Sequence, residues 1–226
     1  MPTKLVIAID GPAGAGKSTV TKRLAKELGL KFLDTGAMYR CIALLAKREG
    51  LGPADGDQAA ALAEASRIEF GEGDPQPVIL NGEDVTAAIR ELDIGELASA
   101  LSVHSAVRRV LAERQKAIVA EGGFTLEGRD TTTVIAPNAQ VKIYLTASVE
   151  ERARRRFEEL KAKGLPADIE EIRKGIEERD HRDMNRADSP LSVAEDAVVL
   201  DTSQMSIDEV VATIKEIAAK VQRGPC

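Results

Sequence analysis

Leu5-Val6-Ile7-Ala8-Ile9-Asp10 runs directly into Gly11-Pro12-Ala13-Gly14-Ala15-Gly16-Lys17-Ser18-Thr19, and this junction decides the fold. The second half is a complete phosphate-binding loop of the form G-x-x-x-x-G-K-[ST], entered from an apolar, strand-like run. Glycines let backbone N–H groups curl around a nucleotide's phosphates. Lys17 reaches the β- and γ-phosphates, and the Ser18 hydroxyl is placed for Mg²⁺. Residues 17–28 follow with Val20, Leu24 and Leu28 on one helical face, and Gly29 stands where a helix terminator belongs. The following helix turns its positive end toward the same anion. A nucleoside triphosphate binder is expected, with residues 11–19 as its triphosphate site.

Working outward, residues 5–9, 30–33, 124–126, 141–145 and 197–200 are apolar and β-prone, separated by helical patterns. Such spacing predicts an α/β fold: a five-stranded parallel sheet with helices on both faces. Ser148 with Glu151, and Ser206 with Glu209, have the S-x-x-E spacing of capping boxes. After Ser206, the residues Ile207, Val210, Val211, Ile214, Ile217 and Val221 form an apolar stripe that should pack on the sheet.

The middle of the chain leaves this rhythm. Residues 57–66 read as a helix, and 67–70 and 78–80 as short strands. Asn81-Gly82 is a turn dipeptide, and helices are expected at about 84–89, 94–101 and 103–120. We take 60–100 as a subdomain inserted into a single domain spanning 1–226.

Residues 149–186 are densely charged. Ion pairs along a solvated helix face account for many of the glutamates. Arg152, Arg154, Arg155 and Arg156, however, crowd the start of a helix, where its dipole disfavours cations. An anionic partner is expected there. With Gly164-Leu165-Pro166 as a hinge, 149–168 has the make-up of a helical lid over a triphosphate.

Composition limits the alternatives. The chain has 226 residues, 43% hydrophobic and 30% charged, with a net charge of −6. That balance argues against non-specific nucleic-acid binding. Aromatics are 3% with no Trp, so base stacking is not an obvious resource. Cys41 and Cys226, with His104 and His181, make neither a disulfide framework nor a zinc spacing. Cys226 is not placed for prenylation. With neither a signal peptide nor a membrane-spanning run in the sequence, a reduced, cytoplasmic protein is expected.

Three further segments could carry a second substrate: Asp34-Thr35-Gly36-Ala37-Met38-Tyr39-Arg40, Glu127-Gly128-Arg129-Asp130, and Arg179-Asp180-His181-Arg182-Asp183-Met184-Asn185-Arg186. The first two follow strands whose carboxyl ends share one sheet edge. All three carry arginines, which grip phosphate bidentately. Phosphoryl transfer needs little beyond such positioning and charge. An ionised phosphate acceptor needs no general base, and no complete kinase H-R-D-x-x-x-x-N catalytic loop is present.

Together with Leu80-Asn81-Gly82-Glu83-Asp84-Val85 and Val141-Lys142-Ile143-Tyr144-Leu145, these segments resemble bacterial cytidylate kinases, in the nucleoside monophosphate kinase family. The matches run in order over almost the whole chain. The resemblance implies an enzyme that transfers the ATP γ-phosphoryl group to CMP and dCMP, with Mg²⁺, as a monomer. It implies that Arg40 and Arg129 hold the acceptor phosphate with Thr35 nearby. Asp130 and Arg108 would read the cytosine edge with Ser99. Asp183 would take the ribose hydroxyls beside Arg179 and Tyr39. Arg186 would bridge the phosphates, and Arg154, Arg155 and Arg156 would close over ATP. Lys17, Arg129, Arg179 and Arg186 are thereby the catalytic set.

Plainer roles remain open for several. Asp130 suits Mg²⁺ work, Asp183 an ion pair with Arg179 or Arg182, Arg108 a surface pair with Glu113, and Ser99 simple helix packing. Thr131-Thr132 departs from the family, which usually has a bulky apolar residue and Gly there. A switch GTPase would need N-K-x-D, and Asn185-Arg186-Ala187-Asp188 is a near miss. A kinase for UMP, AMP or shikimate, or a non-catalytic ATP-binding scaffold, completes the alternatives.

Overall fold

Five consecutive buried residues, Val6–Asp10, form β1 at the centre of the main sheet. A computed structural model describes residues 4–223, and Cys226 lies outside them. The chain divides into two compact units. One is built from residues up to Phe32 together with those from Val119 onward, and the other is Leu33–Ile118.

In the first unit β1 is followed by α1 (Lys17–Leu28) and β2 (Lys31–Asp34), whose last two residues begin the second unit. After the second unit come β6 (Phe124–Gly128), β7 (Val141–Thr146), α6 (Val149–Ala162), α7 (Ile169–Asn185), β8 (Val198–Asp201) and α8 (Ile207–Arg223). The sheet order is β2-β6-β1-β7-β8, and the sheet is the five-stranded parallel one expected from the sequence. Each strand matches an apolar run predicted from the sequence; the buried β1 and β6 are apolar almost throughout as strands covered on both faces are, whereas β8 at the sheet edge is largely exposed. Asp10, the last residue of β1, lies in register between Gly128 on β6 and Tyr144 on β7. The chemistry-bearing segments after β1 and β6 therefore leave the sheet side by side.

Ile7 and Ile9 pack with Val20 and Leu24 of α1, Ile143 and Leu145 of β7, and Val210, Val211 and Ile214 of α8. The stripe on α8 is shorter than its sequence suggests. Ile207 and Val221, at its two ends, are exposed. The Ser206 capping box is complete: Ser206 N–H donates to Glu209 Oε2 at 2.8 Å, and Glu209 N–H donates to Ser206 Oγ at 3.3 Å. At Ser148 the hydroxyl accepts from Glu151 N–H at 3.2 Å, but the Glu151 carboxylate turns to Arg154 and Arg155 instead.

The second unit holds α2 (Thr35–Arg48), α3 (Gly56–Ala65), an antiparallel sheet of β3 (Ile68–Phe70), β4 (Val78–Leu80) and β5 (Glu83–Asp84), a 3-10 turn at Ala88–Arg90, α4 (Leu92–Leu101) and all but the last residue of α5 (Ser105–Val119). The helix expected over 84–89 is not formed. The Asn81-Gly82 turn sends the chain back along β4, pairing Ile79 with Asp84. Thr86 Oγ1 then accepts Val78 N–H, and Asp84 Oδ1 accepts Thr86 N–H, both at 2.9 Å. These local bonds occupy the groups a helix would use, leaving one tight turn at Ala88–Arg90. Buried Met38, Cys41 and Ile42 of α2 and Ile94 and Leu101 of α4 form this unit's core. Burial pushes the Cys41 thiol up to about 12, which makes it a packing residue and not a nucleophile.

Candidate active site

The phosphate loop begins at a position only glycine can fill. Gly11 has φ +150°, and a Cβ there would stand 1.9 Å from the Leu145 carbonyl oxygen. Gly16 then caps α1 in the left-handed conformation, with no side chain bonding the first-turn N–H groups and no acidic residue in that turn. A helix start with that composition is a ready anion site.

Lys17 is buried, and its Nζ donates to the carbonyls of Gly11 and Pro12, each at 2.7 Å. Burial lowers its pKa to about 7, helped by the charges of Arg129 and Arg179 and opposed by Glu127 and Asp10. Ser18 and Thr19 are exposed in the first turn of α1.

Beside this loop, in the same unit, lies an arginine cluster built on one carboxylate. Arg129 follows β6, and its Nε donates to Asp183 Oδ2 at 2.8 Å. Arg179 lies one turn before Asp183 on α7, its Nε 4.0 Å from the same oxygen. Arg186, at the end of α7, has Nη1 3.8 Å from Asp183 Oδ1 and Nη2 3.8 Å from Asp130 Oδ1. Asp130, Asp183 and Arg186 are all buried. Burial alone would raise the Asp183 pKa, but Arg129, Arg179 and Arg186 outweigh it and hold the carboxyl below its ordinary range. Asp183 is thus joined to Arg129 as well as Arg179, and the first of these partners is not suggested by helical spacing.

The lid arginines divide. Arg154 is exposed between Glu151 and Glu158, and Arg156 pairs with Glu159. The protein's own glutamates supply the anions that the helix start called for. Arg155 bonds Glu151 and the Thr202 carbonyl, and its Nη1 lies 3.9 Å from where a Cβ on Gly16 would stand. It is the one of the three that lies against the loop.

Arg152, given no ATP role above, reaches the loop directly. Its Nη1 donates to the Ala13 carbonyl at 3.1 Å and to Asp180 Oδ2 at 2.6 Å. Its position beside the three other arginines was visible in the sequence, but its burial was not. Asp10 was also passed over: it accepts four hydrogen bonds from Thr131 and Thr132.

In the second unit, Asp34 caps α2, accepting Ala37 N–H at 2.9 Å and Arg90 Nη2 at 2.8 Å. This fixes the start of the Thr35–Arg40 segment. Thr35 is buried. Arg40 Nη1 donates to the Ile89 carbonyl at 2.9 Å, and its guanidinium lies across Gly95, 2.9 Å from where a Cβ would be. Arg108 is buried, not a surface partner of Glu113; that glutamate bonds Lys116. The Arg108 guanidinium faces the Tyr39 ring at 5.6 Å, and its Nη1 donates to the Ser102 carbonyl at 3.3 Å. Ser99 is buried on α4, and its carbonyl accepts Ser102 Oγ.

A guanine loop is not present at Asn185. That residue ends α7 and donates to the His181 carbonyl one turn earlier, whereas N-K-x-D loops follow a strand. Among the described residues, no helix is long and apolar enough to cross a membrane.

A parallel sheet whose central strand feeds a phosphate loop, with a buried arginine cluster beside it, defines a nucleotide-binding α/β protein of the phosphate-loop class. The chain belongs to the cytidylate kinase family, whose sequence profile matches residues 7–220. A cytidylate kinase of Listeria welshimeri is 48% identical over 218 residues, covering 96% of this chain and 97% of that protein. One from Desulforamulus reducens is 49% identical, covering 92% and 94%. Among solved structures, an uncharacterized protein from Eubacterium ventriosum shares the fold at 12% identity and a TM-score of 0.50, covering 96% of this chain and 99% of that one.

Proposed function

We propose that the protein transfers the γ-phosphoryl group of ATP reversibly to CMP and dCMP, giving ADP and CDP or dCDP, in pyrimidine nucleotide metabolism. The observation that carries this is the buried Arg129–Asp183–Arg186–Asp130 cluster in the same unit as the phosphate loop. Its guanidiniums suit a second phosphate, and an ionised phosphate acceptor needs no base. Residues 11–19 hold ATP, with Lys17 on the transferred group and Arg155 the best placed of Arg154, Arg155 and Arg156. Arg129, Arg40 and Thr35 are the proposed ligands of the acceptor phosphate. Asp183, with Arg179 and Tyr39, takes the ribose, and Arg186 bridges the phosphates. Asp130, with Arg108 and Ser99, reads cytosine. Residues 60–100 serve CMP binding, and 149–168 act as the lid.

The donor set fits Mg²⁺. The Ser18 hydroxyl is exposed at the loop, and among the described residues no group of three or more His, Cys, Asp or Glu could form a protein cage. Phosphate oxygens would supply the other ligands, as is usual for Mg²⁺. When bound, the ion neutralises charge across the β- and γ-oxygens. A monomer working in the cytoplasm fits this assignment.

The test is ADP release with CMP, dCMP, UMP, AMP, GMP and shikimate as acceptors. CMP and dCMP should be fastest; no turnover with CMP, or faster turnover with AMP, overturns the assignment. Asp130→Ala is expected to raise the CMP KM and erode the CMP/UMP preference. A carboxylate accepts the cytosine N4 amino group but opposes the uracil O4. The contact is worth roughly 1–3 kcal/mol. A fall in kcat alone, with selectivity intact, would move Asp130 to the metal.

Gly95→Ala should separate binding from stability. Alanine is the better helix former by roughly 0.8–1 kcal/mol, which offsets the loss of the Arg40 bond to the Ile89 carbonyl, so the melting temperature should change little. The new methyl occupies the space of the Arg40 guanidinium, whose flexible end must move. Losing charged hydrogen bonds to a phosphate predicts a CMP KM raised roughly ten- to hundredfold. An unchanged KM would remove Arg40 from the acceptor site.

A further inference from the structure

Immediately after Asp130 the chain makes a π-helical turn, Thr131–Ile135, closed by Ile135 N–H to Asp130 O at 3.2 Å and Ala136 N–H to Thr131 O at 2.8 Å. Such turns are uncommon and need support. Here the support is Asp10. Thr131 donates to Asp10 Oδ1 from its N–H at 2.9 Å and from its hydroxyl at 2.8 Å. Thr132 donates to Asp10 Oδ2 from its N–H at 2.7 Å and from its hydroxyl at 2.6 Å. All three residues are buried, so these bonds face no competition from water. Asp10 is the residue before Gly11, and β1 is locked between β6 and β7. The carboxylate is therefore the anchored end of the clamp, and the turn it holds begins directly after Arg129 and Asp130 and fixes where they leave β6.

We propose that Thr131 and Thr132 are positioning residues for the acceptor nucleotide: their hydroxyls, through Asp10, set the placement of Arg129 and Asp130. Half of the four donors are hydroxyls, so these two side chains supply half of the clamp. The clamp explains how this chain orders that turn with two threonines. The inference rests on the acceptor role proposed for Arg129 and Asp130.

The consequence is a directional split. Loosening the turn moves Arg129 and Asp130, while the phosphate loop, continuous with the fixed strand, keeps its place. Thr131→Val/Thr132→Val removes both hydroxyls at nearly constant volume. Initial rates with this variant should give a CMP KM raised about tenfold, the scale of losing hydrogen bonds to a charged group, with an ATP KM within about twofold of wild type. Thr131→Ser/Thr132→Ser, which keeps both hydroxyls, should restore the CMP KM. An unchanged CMP KM in the valine variant, equal rises in both KM values, or failure of the serine variant to restore it would overturn the proposal. If the valine variant does not fold, the two single valine variants carry the same comparison. Asp130→Ala run alongside keeps the questions apart: an unchanged CMP KM there rejects the base-reading role, while the threonine variants alone decide the clamp.

Discussion

Lys17→Met is expected to lower kcat at least about a hundredfold, the scale of removing one preorganised charge-stabilising donor, while the folded protein becomes more stable near neutral pH. The opposite signs come from one cause. Lys17 is buried, and burial with the charges of Arg129 and Arg179 brings its pKa down to about 7 from 10.5. A lysine whose folded pKa lies below its unfolded value binds its proton more weakly in the native state. The destabilisation is complete below about pH 7 and fades as pH rises toward 10.5. Methionine fills similar volume and carries no proton, so its advantage should be largest at pH 7 or below and should narrow toward pH 10. Denaturant unfolding of both proteins across that range measures it. The two carbonyl bonds to Gly11 and Pro12 are lost in the variant and reduce the gain without changing its pH dependence. A difference that stays flat with pH would mean the ammonium is not strained in the free loop. Such strain suits a residue meant for a polyanion, since an ATP phosphate would supply its counter-charge. ATP binding at pH 8 should therefore take up protons.

The sheet was readable because each strand is an apolar run bounded by turn residues, and the loop because its spacing and its strand–helix context agree. β5 was not readable, since Glu83 and Asp84 are polar and exposed and take strand form only because a tight turn lays them against β4. For the candidate site, the residue types were visible and the pairings were not. Arg129 meets Asp183 across 54 positions, and Arg152 meets Ala13 across 139. No local periodicity encodes such separations. Thr131-Thr132 looked like a defect in the sequence because its partner, Asp10, lies 121 and 122 positions away. The crowding of Arg152, Arg154, Arg155 and Arg156 was real. Its resolution, one arginine buried on Asp180 and the others paired with glutamates or turned to a strand-end carbonyl, depends on tertiary burial.

Asp183→Ala is expected to destabilise the free protein by about 3–5 kcal/mol, the usual result of removing one partner from a buried charge cluster. Asp183 is the carboxylate common to Arg129, Arg179 and Arg186, and without it these guanidiniums face one another and Lys17 with less compensation. Its folded pKa is depressed, so its contribution is present above the ordinary aspartate range and is lost as pH falls through the folded value. Wild type should therefore lose stability on acidification more steeply than the variant, and their unfolding curves should converge at low pH. Stability and catalysis then part. Replacing the ion pair by apolar residues of similar size, Arg129→Met/Asp183→Leu, should recover the share of the lost stability that Arg129 accounts for, because a buried pair contributes little net once both its charges are gone, whereas Arg179 and Arg186 still lose the carboxylate. It should recover no activity, because the acceptor phosphate and ribose lose their proposed ligands together. A loss below about 1 kcal/mol in Asp183→Ala would show a cluster open enough for water to screen it. A double variant no more stable than Asp183→Ala would show that packing around α7, and not charge, is what Asp183 supports. The expected pattern makes this buried carboxylate the counter-ion that holds three arginines, Arg186 buried and Arg129 and Arg179 partly so, for a substrate that carries the same charge as the carboxylate.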